Sequence, residues 1–394
     1  MKDMLRKKKV QRLLFKAYKF AFKLCSYLPK QEKTIIFESF HGKQFSDNPR
    51  AIYEYMKEHH PDYNLIWSAD RRYTSLFEEK GLRYVTRLSI QWLLTMPRAK
   101  YWVVNTRLPL WIPKQKTTVY LQTWHGTPLK KLGVDIEEVH MPGTNTERYR
   151  KNFVNEAAKW DYLISPNAYS TEIFQRAFQF NKEMIESGYP RNDYLYHYNN
   201  EQHIQQLKIK LDLPLDKKII LYAPTWRDNE YYGKGRYKFN IHLDLKELYE
   251  EFGDDYIILF RMHYLVAEHL DLSSYQGFAF DLSNYEDIRD LYLISDLLIT
   301  DYSSVFFDYA NLKRPIIFFV YDIETYRDQL RGFYFSLEEE APGPLVKTNE
   351  ELIHAIKEME ALKSNEKLNS FYQRFCSLED GKAAERVVKK MLSK

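Results

Sequence analysis

Thr117-Thr118-Val119-Tyr120-Leu121 runs into Gln122-Thr123-Trp124-His125-Gly126-Thr127-Pro128, and far along the chain Asp296-Leu297-Leu298-Ile299 runs into Thr300-Asp301-Tyr302-Ser303-Ser304. In both places a short apolar run reads as a buried strand and ends in a polar loop bearing a histidine or hydroxyls. Open α/β sheets bind ligands just beyond the carboxyl ends of their strands. The two loops are therefore expected to be the two walls of one central cleft. Further strand-like runs fall at Thr34-Ile35-Ile36-Phe37, Asn64-Leu65-Ile66-Trp67, Tyr101-Trp102-Val103-Val104 and Tyr162-Leu163-Ile164. The second half repeats the scheme at Lys218 to Tyr222, Tyr256 to Phe260 and Pro315 to Val320. Helix-compatible spacers separate them, which is the pattern of parallel sheets built from β-α-β units.

The predicted fold class is α/β, with two Rossmann-like domains. A chain of 394 residues has room for two cores. Residues 196 to 217 are polar and rich in Asn, Gln and Lys, which sets the expected boundary: 30–200 for an amino-terminal domain, 201–394 for a carboxyl-terminal domain that includes amphipathic helices from Glu350 onward. No Gly-x-Gly-x-x-Gly follows the first strand, and Gly-x-x-x-x-Gly-Lys-Ser/Thr is absent. A nicotinamide dehydrogenase and a P-loop nucleotidase are thereby disfavoured. With only Cys25 and Cys376, neither a disulfide framework nor a zinc site is expected.

Charge is distributed unevenly. Residues 1 to 30 hold ten Lys and Arg against one acid, Asp3, so the formal +4 of the whole chain leaves −5 for residues 31–394. A mildly acidic globular part argues against nucleic acid as a partner. The basic segment has helical periodicity: Val10, Leu13, Leu14, Ala17, Ala21, Leu24 and Leu28 share one face, with Arg12, Lys16, Lys19 and Lys23 on another. It is too interrupted to span a bilayer. The expectation is an interfacial helix over residues 1–29 on an anionic membrane surface, with Phe15, Phe20 and Phe22 at the acyl boundary. An ordinary helix packed on the domain is the alternative.

Several residues could carry chemistry. His125 sits on a loop stiffened by Pro128, with Gly126 allowing close substrate approach, and suits proton abstraction near neutral pH. His263, beside Arg261 after the run ending at Phe260, suits an anionic ligand. Ser303 and Ser304 fall at the start of a helix, where hydroxyls and free N–H groups favour anions. Arg191, Thr225 and Arg227 follow Pro-bearing turns, and Arg is the natural phosphate clamp. No acidic cluster demands a metal and no cofactor is required, although Mg2+ is compatible with the site.

These motifs, in order, resemble the CDP-glycerol glycerophosphotransferase family, the TagB/TagF-like enzymes of wall teichoic acid synthesis. The matching text is Gln122 to Lys131, Ser187-Gly188-Tyr189-Pro190-Arg191-Asn192, Tyr222 to Arg227, Arg261-Met262-His263, Ile294 to Ser304 with Phe307-Asp308-Tyr309, then Tyr321 to Tyr326 and Arg331 to Tyr334. The likeness covers roughly residues 30 to 345; Tyr264 departs from it, where many relatives have Pro. It implies a glycosyltransferase-B-like fold, with the donor nucleotide held by the carboxyl-terminal domain and the acceptor approaching from the amino-terminal one. It also implies that His125 and His263 are the catalytic pair, His125 as general base and His263 on the donor phosphate. Trp124, Gly126, Thr127, Arg191, Thr225, Arg227, Arg261, Thr300, Asp301, Ser303, Ser304 and Asp308 are the implied substrate-binding residues, with Asp301 orienting its loop.

The reaction implied is transfer of glycerol phosphate from CDP-glycerol, with CMP leaving. Because the long-chain polymerases often carry a large extra amino-terminal region, the length of this chain predicts a TagB-type primase. Its acceptor would be an undecaprenyl-diphosphate-linked GlcNAc-ManNAc disaccharide at the cytoplasmic face of the membrane. The rivals are a poly(glycerol phosphate) polymerase, a transferase using CDP-ribitol, and a catalytically inactive membrane scaffold.

Overall fold

The computed structural model describes residues 2–139, 144–225, 231–233, 236–237, 241–262, 271–327, 332–358 and 366–394. Two compact units emerge, one of residues 1–125, 133–191 and 382–394, the other of residues 126–132 and 192–381. The polar stretch expected to mark the boundary thus lies wholly in the second unit, and the last helix returns to the first.

The first unit is built on a seven-stranded sheet: β1 (Gln31–Glu38), β2 (Asn64–Ala69), β3 (Tyr84–Thr86), β4 (Ala99–Val104), β5 (Val119–Gln122), β6 (Tyr162–Ser165) and β7 (Glu183–Glu186). Their order is β3-β2-β1-β4-β5-β6-β7, and every pairing is parallel. The chain starts at the middle of the sheet, winds outward to β3, then returns to lay β4 beside β1. Strand order therefore reverses between β1 and β4, the switch point where such sheets open a crevice. Ile35, Phe37, Trp67, Val103 and Leu121 fill one face of the sheet together with Ile52 and Met56. Ile52 and Met56 belong to helix α2 (Asp47–His59). Val387, Val388 and Met391 of the terminal helix Ala383–Leu392 complete that core, which is why the carboxyl terminus belongs to this unit.

In the second unit β8 (Lys218–Tyr222), β11 (Tyr256–Phe260), β12 (Ala279–Asp281), β13 (Leu297–Thr300), β14 (Ile316–Phe319) and β15 (Leu345–Val346) pair in the order β12-β11-β8-β13-β14-β15. These pairings are again all parallel. Here the reversal falls between β8 and β13. A small antiparallel hairpin, β9 (Tyr231–Gly233) with β10 (Arg236–Tyr237), accompanies this sheet.

The amino-terminal segment is one helix, α1 (Lys2–Cys25). It rests on the first unit through a face the leucine spacing does not pick out. Phe15, Tyr18 and Phe22, three and four residues apart, pack against Trp111, and Phe22 also meets Trp92 at 5.1 Å. Phe15 and Phe22 are thus turned to protein, and Phe22 is wholly buried. The predicted apolar face stays open, with Leu13 68%, Leu14 64% and Phe20 65% exposed. No described helix is long and apolar enough to cross a membrane.

Candidate functional site

In the first unit three loops converge at the switch point. The loop after β1 carries Phe40 and His41, that after β4 carries Asn105, Thr106 and Arg107, and that after β5 carries Thr123, Trp124 and His125. Nδ1 of His125 lies 2.7 Å from the backbone oxygen of Asn105. A carbonyl only accepts, so Nδ1 carries the hydrogen and Nε2 keeps its lone pair. Trp124, at φ +52, stacks on the imidazole at 4.5 Å, while Phe40 meets it edge-on at 5.8 Å. Burial pushes the His125 pKa below the ordinary imidazole value; Asp47 and the Asn105 bond oppose this, and Arg191 and Arg107 add to it. The ring is accordingly neutral at neutral pH and able to take a proton.

Residues outside the sequence-derived set hold this loop in place. Asn48 donates to the backbone oxygens of Thr123 and Trp124 at 3.4 and 3.3 Å, and its own side-chain oxygen accepts from the Arg191 backbone N–H. Asp47, at φ +63, accepts from Arg191 Nη1 at 2.6 Å through one oxygen and from Asn105 Nδ2 at 2.5 Å through the other. Phe40 N–H closes the network on Asn105 Oδ1. Ser46-Asp47-Asn48-Pro49 reads locally as a helix start, and Asp47 and Asn48 do open α2. Their second task depends on a partner 144 residues away. Arg191, cast as a substrate clamp, is a buried ion-pair partner here. Losing one partner of such a pair costs about 3–5 kcal/mol.

In the second unit the loops after β8 and β13 meet at the other switch point. Asp301, buried, accepts from the Thr225 backbone N–H at 2.8 Å, and Thr300 Oγ1 donates to the Ala223 oxygen at 2.7 Å. Asp301 thus braces the loop of Thr225, whereas the loop it was expected to orient is its own, that of Ser303 and Ser304. Ser303 and Ser304 follow, both partly exposed, and the helix they introduce is only Val305–Tyr309. Ser304 occupies its N-cap position without capping it. Five residues make a small macrodipole, so the hydroxyls and loop N–H groups, rather than a helix end, are the polar equipment.

Gly126 belongs to this unit, and a Cβ built on it would lie 3.0 Å from Ser304 Oγ. Thr127 is buried beside it, and the chain then pairs with 332–334: Lys131 N–H donates to Gly332 O, and Tyr334 N–H to Leu129 O. The peptide bond joining His125 to Gly126 is thus also the point where the chain passes from one unit to the other.

Two expected ligands also make structural hydrogen bonds. Arg261 spends Nη1 on the backbone oxygens of Leu282, at 3.0 Å, and Ser283, which fastens the crossover after β12. Asp308 accepts from Asn192 Nδ2 at 3.2 Å, within a buried cluster that includes Glu379. His263 and Arg227 lie outside the described residues. Among the described residues no group of three or more His, Cys, Asp or Glu side chains is gathered to hold a metal ion.

Residues 20–393 match the family CDP-Glycerol:Poly(glycerophosphate) glycerophosphotransferase. The chain belongs to that family. It is 63% identical over 379 residues to the teichoic acid poly(glycerol phosphate) polymerase of Bacillus subtilis, covering 96% of this chain and 51% of that protein, so it spans about half the length of that relative. It is 58% identical to the Bacillus spizizenii poly(glycerol phosphate) polymerase, over 98% of both. The Staphylococcus aureus teichoic acid glycerol-phosphate transferase is 51% identical, over 97% of this chain and 98% of its own.

A solved wall teichoic acid polymerase, TagF, superposes with a TM-score of 0.89 at 44% identity, covering 100% of this chain and 98% of that one. UDP-GlcNAc 2-epimerase of Methanocaldococcus jannaschii, at 16% identity and a TM-score of 0.56, shares the fold alone. Likeness to the polymerases, at 50–63% identity and in the TagF structure, corrects the primase expectation. Glycerol-phosphate primases are only 29% identical, over 70–81% of the chain. A polymerase of matching extent, that of B. spizizenii, removes the argument from length.

Proposed function

We propose that this chain transfers glycerol phosphate from CDP-glycerol to the terminal hydroxyl of a growing poly(glycerol phosphate) chain. The acceptor oxygen forms a bond to the glycerol-bearing phosphorus, the bond from that phosphorus to the CMP oxygen breaks, and the hydroxyl proton goes to Nε2 of His125. The observation that carries the reading is the His125 ring. Its Nδ1 hydrogen is given to Asn105 O, and its pKa is held down by burial, so Nε2 is free to accept at neutral pH. Glycerol rather than ribitol is favoured by identity: relatives named for ribitol phosphate stand at 29–33%, against 50–63% for the poly(glycerol phosphate) polymerases and the glycerol-phosphate transferase.

The donor phosphates are assigned to Ser303 and Ser304, on the loop that Asp301 and Thr225 brace, with His263 and Arg227 contributing. Phosphoryl transfer depends mainly on positioning and charge stabilisation, and one well-placed donor to the developing charge is worth about 3 kcal/mol of barrier. Trp124, Arg191, Arg261 and Asp308 act by holding loops rather than by gripping substrate. The enzyme works at the cytoplasmic face of the membrane, docked peripherally through α1, because its acceptor is anchored there by a lipid-linked disaccharide. Supporting the docking are the open leucine face of α1 and the neighbouring Leu88, Ile90 and Leu94, exposed at 52%, 74% and 45%.

A second reading, transfer of glycerol phosphate without long-chain extension, is favoured by the S. aureus protein of equal extent, which is named a glycerol-phosphate transferase and not a polymerase. Mass spectrometry of products from CDP-glycerol and a lipid-linked acceptor already bearing glycerol phosphate separates the two. Long ladders are expected; a product stopping after a few additions supports the second reading, and failure to release CMP rejects both.

A further inference from the structure

The Ser46-Asp47-Asn48-Pro49 segment is absent from the motifs that carry the family likeness, yet it lies under the His125 loop. Asp47 bridges two loops with one carboxylate: Oδ1 takes Arg191 Nη1 at 2.6 Å and Oδ2 takes Asn105 Nδ2 at 2.5 Å. Asn105 is the residue whose backbone oxygen receives the His125 Nδ1 hydrogen. The carboxylate thus stands one residue removed from the imidazole and fixes the group that selects its tautomer. An Asp tolerates the left-handed backbone found here at φ +63 better than most residues.

We propose that Asp47 is the positioning residue of this site: by holding Asn105 it fixes His125 as the Nδ1-protonated tautomer, and it sets a carboxylate against the neighbouring guanidiniums. The inference rests on the reading of His125 as base for its catalytic meaning, but the structural part stands without it. The charged and titratable groups that bear on the ring are Asp47, Arg191, Arg107 and His41. Asp47 is the negative one among them. Two guanidiniums in a desolvated site disfavour a third positive charge, and without the carboxylate the imidazole would be a weak base. Asp47 does for a phosphoryl acceptor's base what a buried carboxylate does for a catalytic histidine in general, except that it works through an asparagine carboxamide instead of touching the ring.

The sign of the effect is fixed. Removing the carboxylate lowers the His125 pKa, so its protonation moves to lower pH. Nitrogen-15 imidazole NMR on the full chain reads both pKa and tautomer without turnover. Asp47→Asn is expected to move the His125 titration down by about one unit and to reduce the share of Nδ1-protonated ring. Because Asp47→Asn leaves Arg191 buried and unpaired, the double variant Asp47→Asn with Arg191→Gln is the second sample. It removes both charges and is expected to give a smaller shift in the same direction.

An unchanged His125 pKa and tautomer in these variants overturns the proposal. The kcat/KM–pH profile is measured alongside: its acid limb follows the ring only where His125 is the base. A ring that shifts beneath an unmoved profile supports the role of Asp47 and rejects the base assignment, so the two failures are distinguishable. Loss of rate with neither shift marks a merely structural residue and also overturns the proposal.

Discussion

At the residue scale the site divides into what local spacing reveals and what it hides. His125, Ser303 and Ser304 are legible because each follows a strand-like run, and loops at strand carboxyl ends carry ligands. Asp47, Asn48 and Asn105 are not, since each looks like an ordinary cap or turn until the fold brings in a partner. Arg261 and Asp308, whose types suggest substrate, also bond to neighbouring loops through partners that local spacing does not reveal. Gly126 offers a sharp test. With only 3.0 Å between a Cβ there and Ser304 Oγ, Gly126→Ala must displace the serine or strain the loop, and such overpacking costs about 1–3 kcal/mol. The KM for CDP-glycerol is expected to rise about tenfold, while thermal unfolding changes modestly. An unchanged KM detaches Ser304 from the donor.

At the element scale the fully buried strands were predictable, and the half-exposed edge strands were not. Val119 to Gln122 and Leu297 to Thr300 are buried along their length, so their apolar character is continuous. Glu183-Met184-Ile185-Glu186 lies at the sheet edge with one buried residue, and such a strand leaves no apolar run to read. Helix α1 shows how periodicity can identify an element and mistake its packing. The leucine stripe is real, but the aromatic stripe Phe15, Tyr18 and Phe22 makes the contact with Trp111. Tyr18 also donates its hydroxyl to Ser89 O at 2.9 Å. A deletion of α1 would therefore uncover Trp92 and Trp111, confounding any membrane assay.

Charging the open face alone avoids that. Leu13→Glu, Leu14→Glu and Phe20→Glu together are expected to abolish sedimentation with anionic vesicles while turnover on a soluble acceptor stays near normal. Each replaced apolar residue forfeits about 1.5–3 kcal/mol of burial. Undiminished sedimentation defeats membrane docking through this face.

At the scale of the whole molecule two parallel sheets, each reversing its strand order once, carry the candidate loops at their own switch points. That duplication was legible from the alternation of apolar runs and helical spacers. The ownership of segments was not: residues 126–132 pair with 332–334, and residues 382–394 close the core of the first unit. Both are long-range partnerships with no local signature.

With His125 assigned to the proton and the serine loop to the phosphates, the two roles must separate in one experiment. CMP release from enzyme preloaded with CDP-glycerol, followed in single turnover with His125→Ala and with Ser303→Ala plus Ser304→Ala, does so. His125→Ala is expected to lose roughly a hundredfold or more in rate with donor affinity retained, and the serine variant to lose donor affinity. CMP release by His125→Ala at near wild-type rate would contradict the account.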